Sequence, residues 1–217
     1  MNIDALIRNN VKMMSSYSSA RDDYNGGANK NLIYLDANES PFKNEINRYP
    51  DNKHTEIKKL VSDIKNVNIN QVVFGNGTDE ILDLIVRVFC NPNKDKIITL
   101  PPTYGMYDII AKTNEVENIE IPLKSDFSID TEKILSLKTS NIKILFLCSP
   151  NNPTGNSFDT NELTDLIKGF NGIVVVDEAY IDFSSKQSLI SLINDNNNLI
   201  ITQTMSKAYG MAGIRLG

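Results

Sequence analysis

N-G-I-V-V-V-D-E-A-Y, residues 171–180, is the stretch on which the fold turns. Four apolar residues in a row at 173–176 leave no polar side for water. Such a strand must be covered on both faces, as in a parallel sheet layered between helices. Asn171-Gly172 ahead of it is a helix stop. Asp177 places a carboxyl at the strand's carboxyl end, where sheets of this class hold their ligands.

Working outward, the same alternation recurs along the chain. Apolar runs at 72–74, 96–100, 143–148, 172–176 and 199–203 read as strands. Helical periodicity lies between them. Ile57, Leu60, Val61 and Ile64 repeat at i, i+3, i+4, i+7. So do Leu163, Leu166, Ile167 and Phe170, behind a cap at Asp159 with Glu162 following. A third stripe runs through Ile81, Leu84, Ile85, Val88 and Phe89. The expected fold class is therefore α/β, a mostly parallel sheet with helices on both faces, over residues 36–217. Residues 1–35, rich in Asn and Ser and carrying Gly26-Gly27, read as an N-terminal arm.

Of the 217 residues, 41% are apolar, enough to bury a core. The formal net charge of -5 argues against nucleic acid as the main partner, since phosphate backbones call for a basic face. The N-terminus has no apolar core of a secretory signal, and no apolar run approaches a membrane span. Cys90 and Cys148 are far apart in apolar surroundings and read as buried free thiols, consistent with a cytoplasmic location. The single histidine, His54, sits among polar residues and reads as a surface residue. No second ligand lies at metal-site spacing, so no metal is expected.

Three later segments carry chemistry. F-G-N-G-T-D-E at 74–80 opens a helix. Gly75 and Gly77 permit a tight turn, and the first amides near Thr78 and Asp79 are free to hold an anion. It is not a dinucleotide fingerprint, because Glu80 stands where a third glycine is needed. S-P-N-N-P-T-G at 149–155 places Asn152 in a turn fixed by Pro153. T-M-S-K-A-Y-G-M-A-G-I-R at 204–215 puts Lys207 after an apolar strand, next to small residues, which reads as a buried and closely approached site. A lysine able to form an imine, a carboxylate that can keep a pyridine nitrogen protonated and an Asn-Pro turn are what pyridoxal 5'-phosphate (PLP) chemistry requires. Arg215 can pair with a phosphate.

Together these segments resemble the fold-type I PLP-dependent aminotransferases. Within them, the chain is similar to the enzymes that aminate imidazole acetol phosphate with L-glutamate in histidine biosynthesis, yielding L-histidinol phosphate and 2-oxoglutarate. The resemblance also includes Y-S-S-A-R-D at 17–22, Y-L-D-A-N-E-S-P at 34–41, R-Y-P-D at 48–51 and P-P-T-Y-G-M-Y at 101–107. It implies that Lys207 is the Schiff-base lysine and proton shuttle and that Asp177 partners the ring nitrogen. It implies Asn152 and Tyr180 at the phenolic oxygen, and Tyr104 stacked on the ring. Gly77, Thr78, Asp79, Thr204, Ser206 and Arg215 form the phosphate cup. Tyr49 reaches the neighbouring subunit's phosphate and Tyr17 belongs to the substrate pocket, which implies a homodimer with shared sites. The family runs on past position 217, through the end of its large domain and a small C-terminal domain holding substrate-binding arginines. The resemblance thus implies an incomplete large domain here. Two alternatives stay open: a non-catalytic chain that at most binds PLP, and an enzyme like threonine-phosphate decarboxylase.

Overall fold

A computed structural model describes residues 2–18, 33–137, 139 and 141–217. Residues 19–32, with Gly26-Gly27 and positions 19–22 of the 17–22 motif, lie outside the described residues. Five strands form one sheet: β1 (Lys96–Thr99), β2 (Glu117–Glu120), β3 (Ile142–Cys148), β4 (Ile173–Asp177) and β5 (Leu199–Thr202). Their order is β2-β1-β3-β4-β5 and every pairing is parallel. Chain order reverses between β1 and β3, which opens a crevice at the carboxyl ends of those strands.

Six α-helices accompany the sheet among the described residues: α1 (Asn9–Lys12), α2 (Thr55–Lys65), α3 (Thr78–Phe89), α4 (Met106–Thr113), α5 (Thr131–Ser136) and α6 (Thr160–Gly169). The alternation of side chains along each strand separates two cores. Ile98, Leu145, Leu147, Val174 and Val176 pack on one face with Leu163, Leu166 and Ile167 of α6 and Ile134 of α5. Ile97, Ile144, Phe146, Cys148, Ile173 and Val175 pack on the other with α3 and α4. This two-sided burial is what the unbroken run at 173–176 required. The cap of α6 also forms as expected, with Asp159 accepting from the amides of Asn161 and Glu162.

Three expectations are corrected. Residues 72–74 do not join the sheet. Val72 is extended, but the only pairing nearby among the described residues is an isolated antiparallel bridge between Asn76 and Leu216. An apolar cavity of about 140 Å³, lined by Phe74, Ile81, Ile201 and Leu216 among others, separates this stretch from β5. Next, β2 was not anticipated. Its sequence, Glu-Asn-Ile-Glu, is polar because it is an edge strand bonded to β1 alone. Lastly, α3 buries Leu82, Ile85, Val86 and Phe89, and Leu84 is exposed. Both rows have helical spacing, but they differ by one residue, so the buried face is rotated by one position.

The stripe on α2 is only partly covered: Leu60 and Ile64 are exposed. The N-terminal residues pack against the end of α3. Arg8 gives its amide to the carbonyl of Val88 at 3.0 Å and its guanidinium to the carbonyl of Arg87 at 2.8 Å. These bonds satisfy carbonyls at the end of α3 that the helix itself leaves free. No helix among the described residues is long and apolar enough to cross a membrane.

Candidate active site

The carboxyl ends of β1, β3, β4 and β5 converge on a cleft of about 190 Å³. Thr78, Asp79, Tyr104, Asp177, Tyr180, Thr204, Ser206, Lys207 and Arg215 all line it. Sequence segments more than a hundred residues apart thus meet in one place.

One end of the cleft is built to receive an anion. Gly77 caps α3 with φ 81° and ψ 164° and supplies no side-chain cap. That backbone region is nearly exclusive to glycine. Arg215 lies directly over it: a Cβ added at Gly77 would stand 2.5 Å from Nη2 of Arg215. The guanidinium donates to the carbonyl of Ala212 at 3.2 Å, and no carboxylate partner is found for it among the described residues. A helix N-terminus and a guanidinium with no carboxylate partner among the described residues therefore face the same space. Three segments are laced together around it. The amides of Gly75 and Gly217 bond each other's carbonyls, Met205 donates its amide to Leu216, and Thr78 Oγ1 donates to the carbonyl of Gln203.

The other end is organised by Asp177, which is 3% exposed at the end of β4. Its Oδ1 accepts from the Ala179 amide at 3.1 Å and from Thr202 Oγ1 at 3.2 Å. Its Oδ2 accepts from the Tyr107 hydroxyl at 2.7 Å. Burial pushes the carboxyl above the usual carboxylate range, against the pull of these donors. A buried carboxyl with an open side toward a cleft is suited to meet a protonated ring nitrogen.

Tyr104 closes one wall. Its hydroxyl donates to Asp79 Oδ1 at 3.1 Å, and its ring meets Tyr107 edge-on with centroids 5.6 Å apart. Burial, reinforced by the Asp79 carboxylate, pushes its phenol up to about 12, so it stays a neutral donor. Lys207 projects across Tyr180, with Nζ 5.5 Å from the ring centroid. Contrary to the expectation of a buried site, Lys207 is exposed. The 204–215 segment covers the ends of the strands from one side only, and Tyr209 and Met211 beside it are exposed as well.

Asn152 does not line this cleft. It lies in an adjoining, more open one together with Pro153, and Tyr180 is common to both. Its neighbour Asn151 ties the crevice shut below. Asn151 accepts from Thr103 Oγ1 at 2.9 Å and donates to the carbonyl of Pro102 at 2.9 Å, joining the loops after β1 and β3. Tyr17 and Tyr49 are 87% and 69% exposed and line no part of the cleft of their own chain.

Sequence reading missed Tyr107, Thr202 and Cys148 at this site. Tyr107 is 1% exposed and stacks on Phe146 with centroids 4.8 Å apart. Its position in P-P-T-Y-G-M-Y was the one available signal. Cys90 and Cys148 are free and buried, and His54 is exposed, as expected. No cluster of potential metal ligands is found among the described residues.

The histidinol-phosphate aminotransferase of Flavobacterium johnsoniae is 54% identical over 215 residues, which cover 99% of this chain and 62% of that protein. The chain thus spans less than two thirds of the length of this curated relative. Among solved structures, the histidinol-phosphate aminotransferase of Clostridium acetobutylicum matches with a TM-score of 0.69 and 28% identity, over 78% of this chain and 51% of that one. The Sinorhizobium meliloti enzyme, determined in complex with pyridoxal-5'-phosphate, shares the fold with a TM-score of 0.71 at 23% identity, over 78% and 47% of the two chains. The family model for aminotransferases of class I and II matches residues 23–217, taking in every element that lines the cleft, and the chain belongs to that family.

Proposed function

We propose that this chain holds PLP in the cleft and serves transamination between L-glutamate and imidazole acetol phosphate, giving L-histidinol phosphate and 2-oxoglutarate. One observation carries the cofactor reading: buried Asp177 and Lys207 line a single cleft that ends at the Gly77–Arg215 anion site. When bound there, the cofactor supplies an aldehyde for amines and a pyridine ring that accepts electrons from the substrate's alpha carbon. The 54% identity to the Flavobacterium johnsoniae enzyme supports the choice of substrates.

The residues divide the work by position. Gly77, Thr78, Asp79, Thr204, Ser206 and Arg215 surround the phosphate, chiefly through backbone amides and the guanidinium. Asp177 keeps the proton on the ring nitrogen. Tyr104 forms one wall of the ring slot. Tyr180 lies beside the Lys207 amine and would donate to the ring's phenolic oxygen, a role Asn152 in the adjoining cleft would share. Lys207 would hold the cofactor through its amine and, once the substrate's amine displaces it, would carry a proton to and from the substrate's alpha carbon. The exposed Tyr17 and Tyr49 belong to the homodimer reading, in which each serves at a shared site. The free buried thiols support a cytoplasmic setting.

A second reading, cofactor binding without turnover, is favoured by one feature. Arg215 is the arginine that lines the cleft, and it stands at the phosphate end. Among the described residues, no other arginine lines the cleft to grip a substrate carboxylate.

Borohydride reduction of the chain mixed with PLP, followed by peptide mapping, tests the assignment. Label on Lys207, and its loss in Lys207→Ala, is expected. Label that persists in that variant overturns it. Glutamate-dependent formation of 2-oxoglutarate with imidazole acetol phosphate separates turnover from binding alone. Carbon dioxide release from threonine phosphate would redirect the substrate assignment.

A further inference from the structure

We infer that Tyr107 is a positioning residue of this site: its hydroxyl holds the Asp177 carboxyl aimed into the cleft and favours its anionic form. The inference rests on the cofactor reading above and extends it to a residue that does not line the cleft. The two oxygens of Asp177 are served unequally. Oδ1 has two donors, the Ala179 amide and Thr202 Oγ1. Oδ2 has one donor among the described residues, the Tyr107 hydroxyl, and at 2.7 Å it is the shortest of the three contacts. A hydroxyl donating to a carboxylate is a charge-assisted bond, about twice as strong as a neutral one.

The phenol cannot easily turn elsewhere. Its ring lies flat against Phe146 with an interplanar angle of 6°, and Tyr104 meets it edge-on. Tyr107 therefore offers a fixed donor from the first turn of α4, across the crevice from β4. Its proton stays on oxygen, because burial and the adjacent Asp177 charge push the phenol well above its usual range. The other ionisable groups near the carboxyl do not replace it. Cys148 on β3 is a buried thiol raised to about 12, and the Asp79 carboxylate on α3 opposes the negative charge. Lys207 lines the same cleft but lies over Tyr180. Burial already pushes the Asp177 carboxyl up, and without the phenol that push would be less opposed and the carboxyl would rise further.

Tyr107→Phe removes the hydroxyl and keeps the ring, so the stack on Phe146 persists. Two measurements on the full chain read the effect. In the protein without added PLP, carbon NMR of the Asp177 carboxyl should show proton affinity raised at least tenfold in Tyr107→Phe. An unchanged midpoint overturns the inference whatever the cofactor does. With PLP labelled at the ring nitrogen, nitrogen NMR at neutral pH should report a protonated ring in the parent. In the variant, the midpoint for loss of that proton should lie at least tenfold lower in proton affinity. A ring equally protonated in both proteins overturns the inference and leaves the cofactor reading standing. A parent that shows no bound, protonated ring overturns the cofactor reading, and this role for Tyr107 with it. Circular dichroism of the variant separates these effects from misfolding, and Tyr107→Leu, which also removes the stack, should lower stability as well.

Discussion

Replacing Gly77 with alanine should damage the anion site in two separable ways. At φ 81° and ψ 164° the backbone occupies a region that residues bearing a Cβ avoid. The strain of holding alanine there is about 1–3 kcal/mol. The new Cβ would also lie 2.5 Å from Nη2 and 3.2 Å from Cζ of Arg215. A guanidinium at the end of a flexible side chain can swing away, so this contact adds little to the strain. It removes the charge from the mouth of α3 instead. Losing one charge-assisted contact of about 1.5–3 kcal/mol corresponds to an affinity drop of roughly tenfold or more. Gly210→Ala is the control, since Gly210 has φ 65° and nothing within 4 Å of an added methyl group. It should show backbone strain of about 1–2 kcal/mol with phosphate binding intact. Urea denaturation gives the stability change, and calorimetric titration with inorganic phosphate gives the affinity. If Gly77→Ala loses less than about 0.5 kcal/mol and binds phosphate normally, the reasoning about this turn fails. Equal loss of phosphate affinity in Gly210→Ala would show that Arg215 is not the group responsible.

Two further outcomes follow from burial. The Asp177 carboxyl sits above its usual range because it is desolvated, so the native state takes up its proton more readily than the unfolded chain. Stability from this group is therefore greatest below the unfolded value and declines as pH rises through the native one. Asp177→Asn escapes that decline and should be more stable than the parent at pH 7, with the advantage shrinking toward pH 4, as read from urea midpoints. An advantage independent of pH, or a loss at pH 7, would contradict this origin. Burial also pushes the Cys90 and Cys148 thiols up to about 12. An aromatic disulfide reagent at pH 8 should label them about a thousandfold more slowly in the native protein than in urea. Native labelling at the rate of a free thiol would refute their burial.

The sheet was most legible where both faces are buried. The runs that became β3 and β4 contain little but apolar residues, and no other environment suits them. The polar edge strand β2 carried no such mark, since its side chains answer to solvent on the outside of the sheet. Residues 72–74 have strand-like composition, but composition does not provide a neighbour, and the neighbour is what makes a strand. At the site, Gly77, Asp177 and Lys207 were readable because a turn, a strand end and an amine have local signatures. The Tyr107–Asp177 bond was not. It joins residues 70 positions apart, and only the folded stack of Tyr107 on Phe146 of β3 brings the hydroxyl to the end of β4. The exposure of Lys207 was equally unreadable, because small neighbours in sequence mark a close approach without telling which side is closed.

The cleft draws its walls from the start of α3, the loop after β1, the ends of β3 and β4, the loop after β4, and the segment after β5. During synthesis from the N-terminus, those pieces emerge in that order, and the segment bearing Lys207 and Arg215 is the last of them. Every earlier strand can pair before any ligand can be gripped, so binding competence is acquired at the final docking step. A ligand held there favours the state in which that last segment is in place. Its occupancy thus acts as a clasp on these strands, tying together parts of the chain that were made at different times.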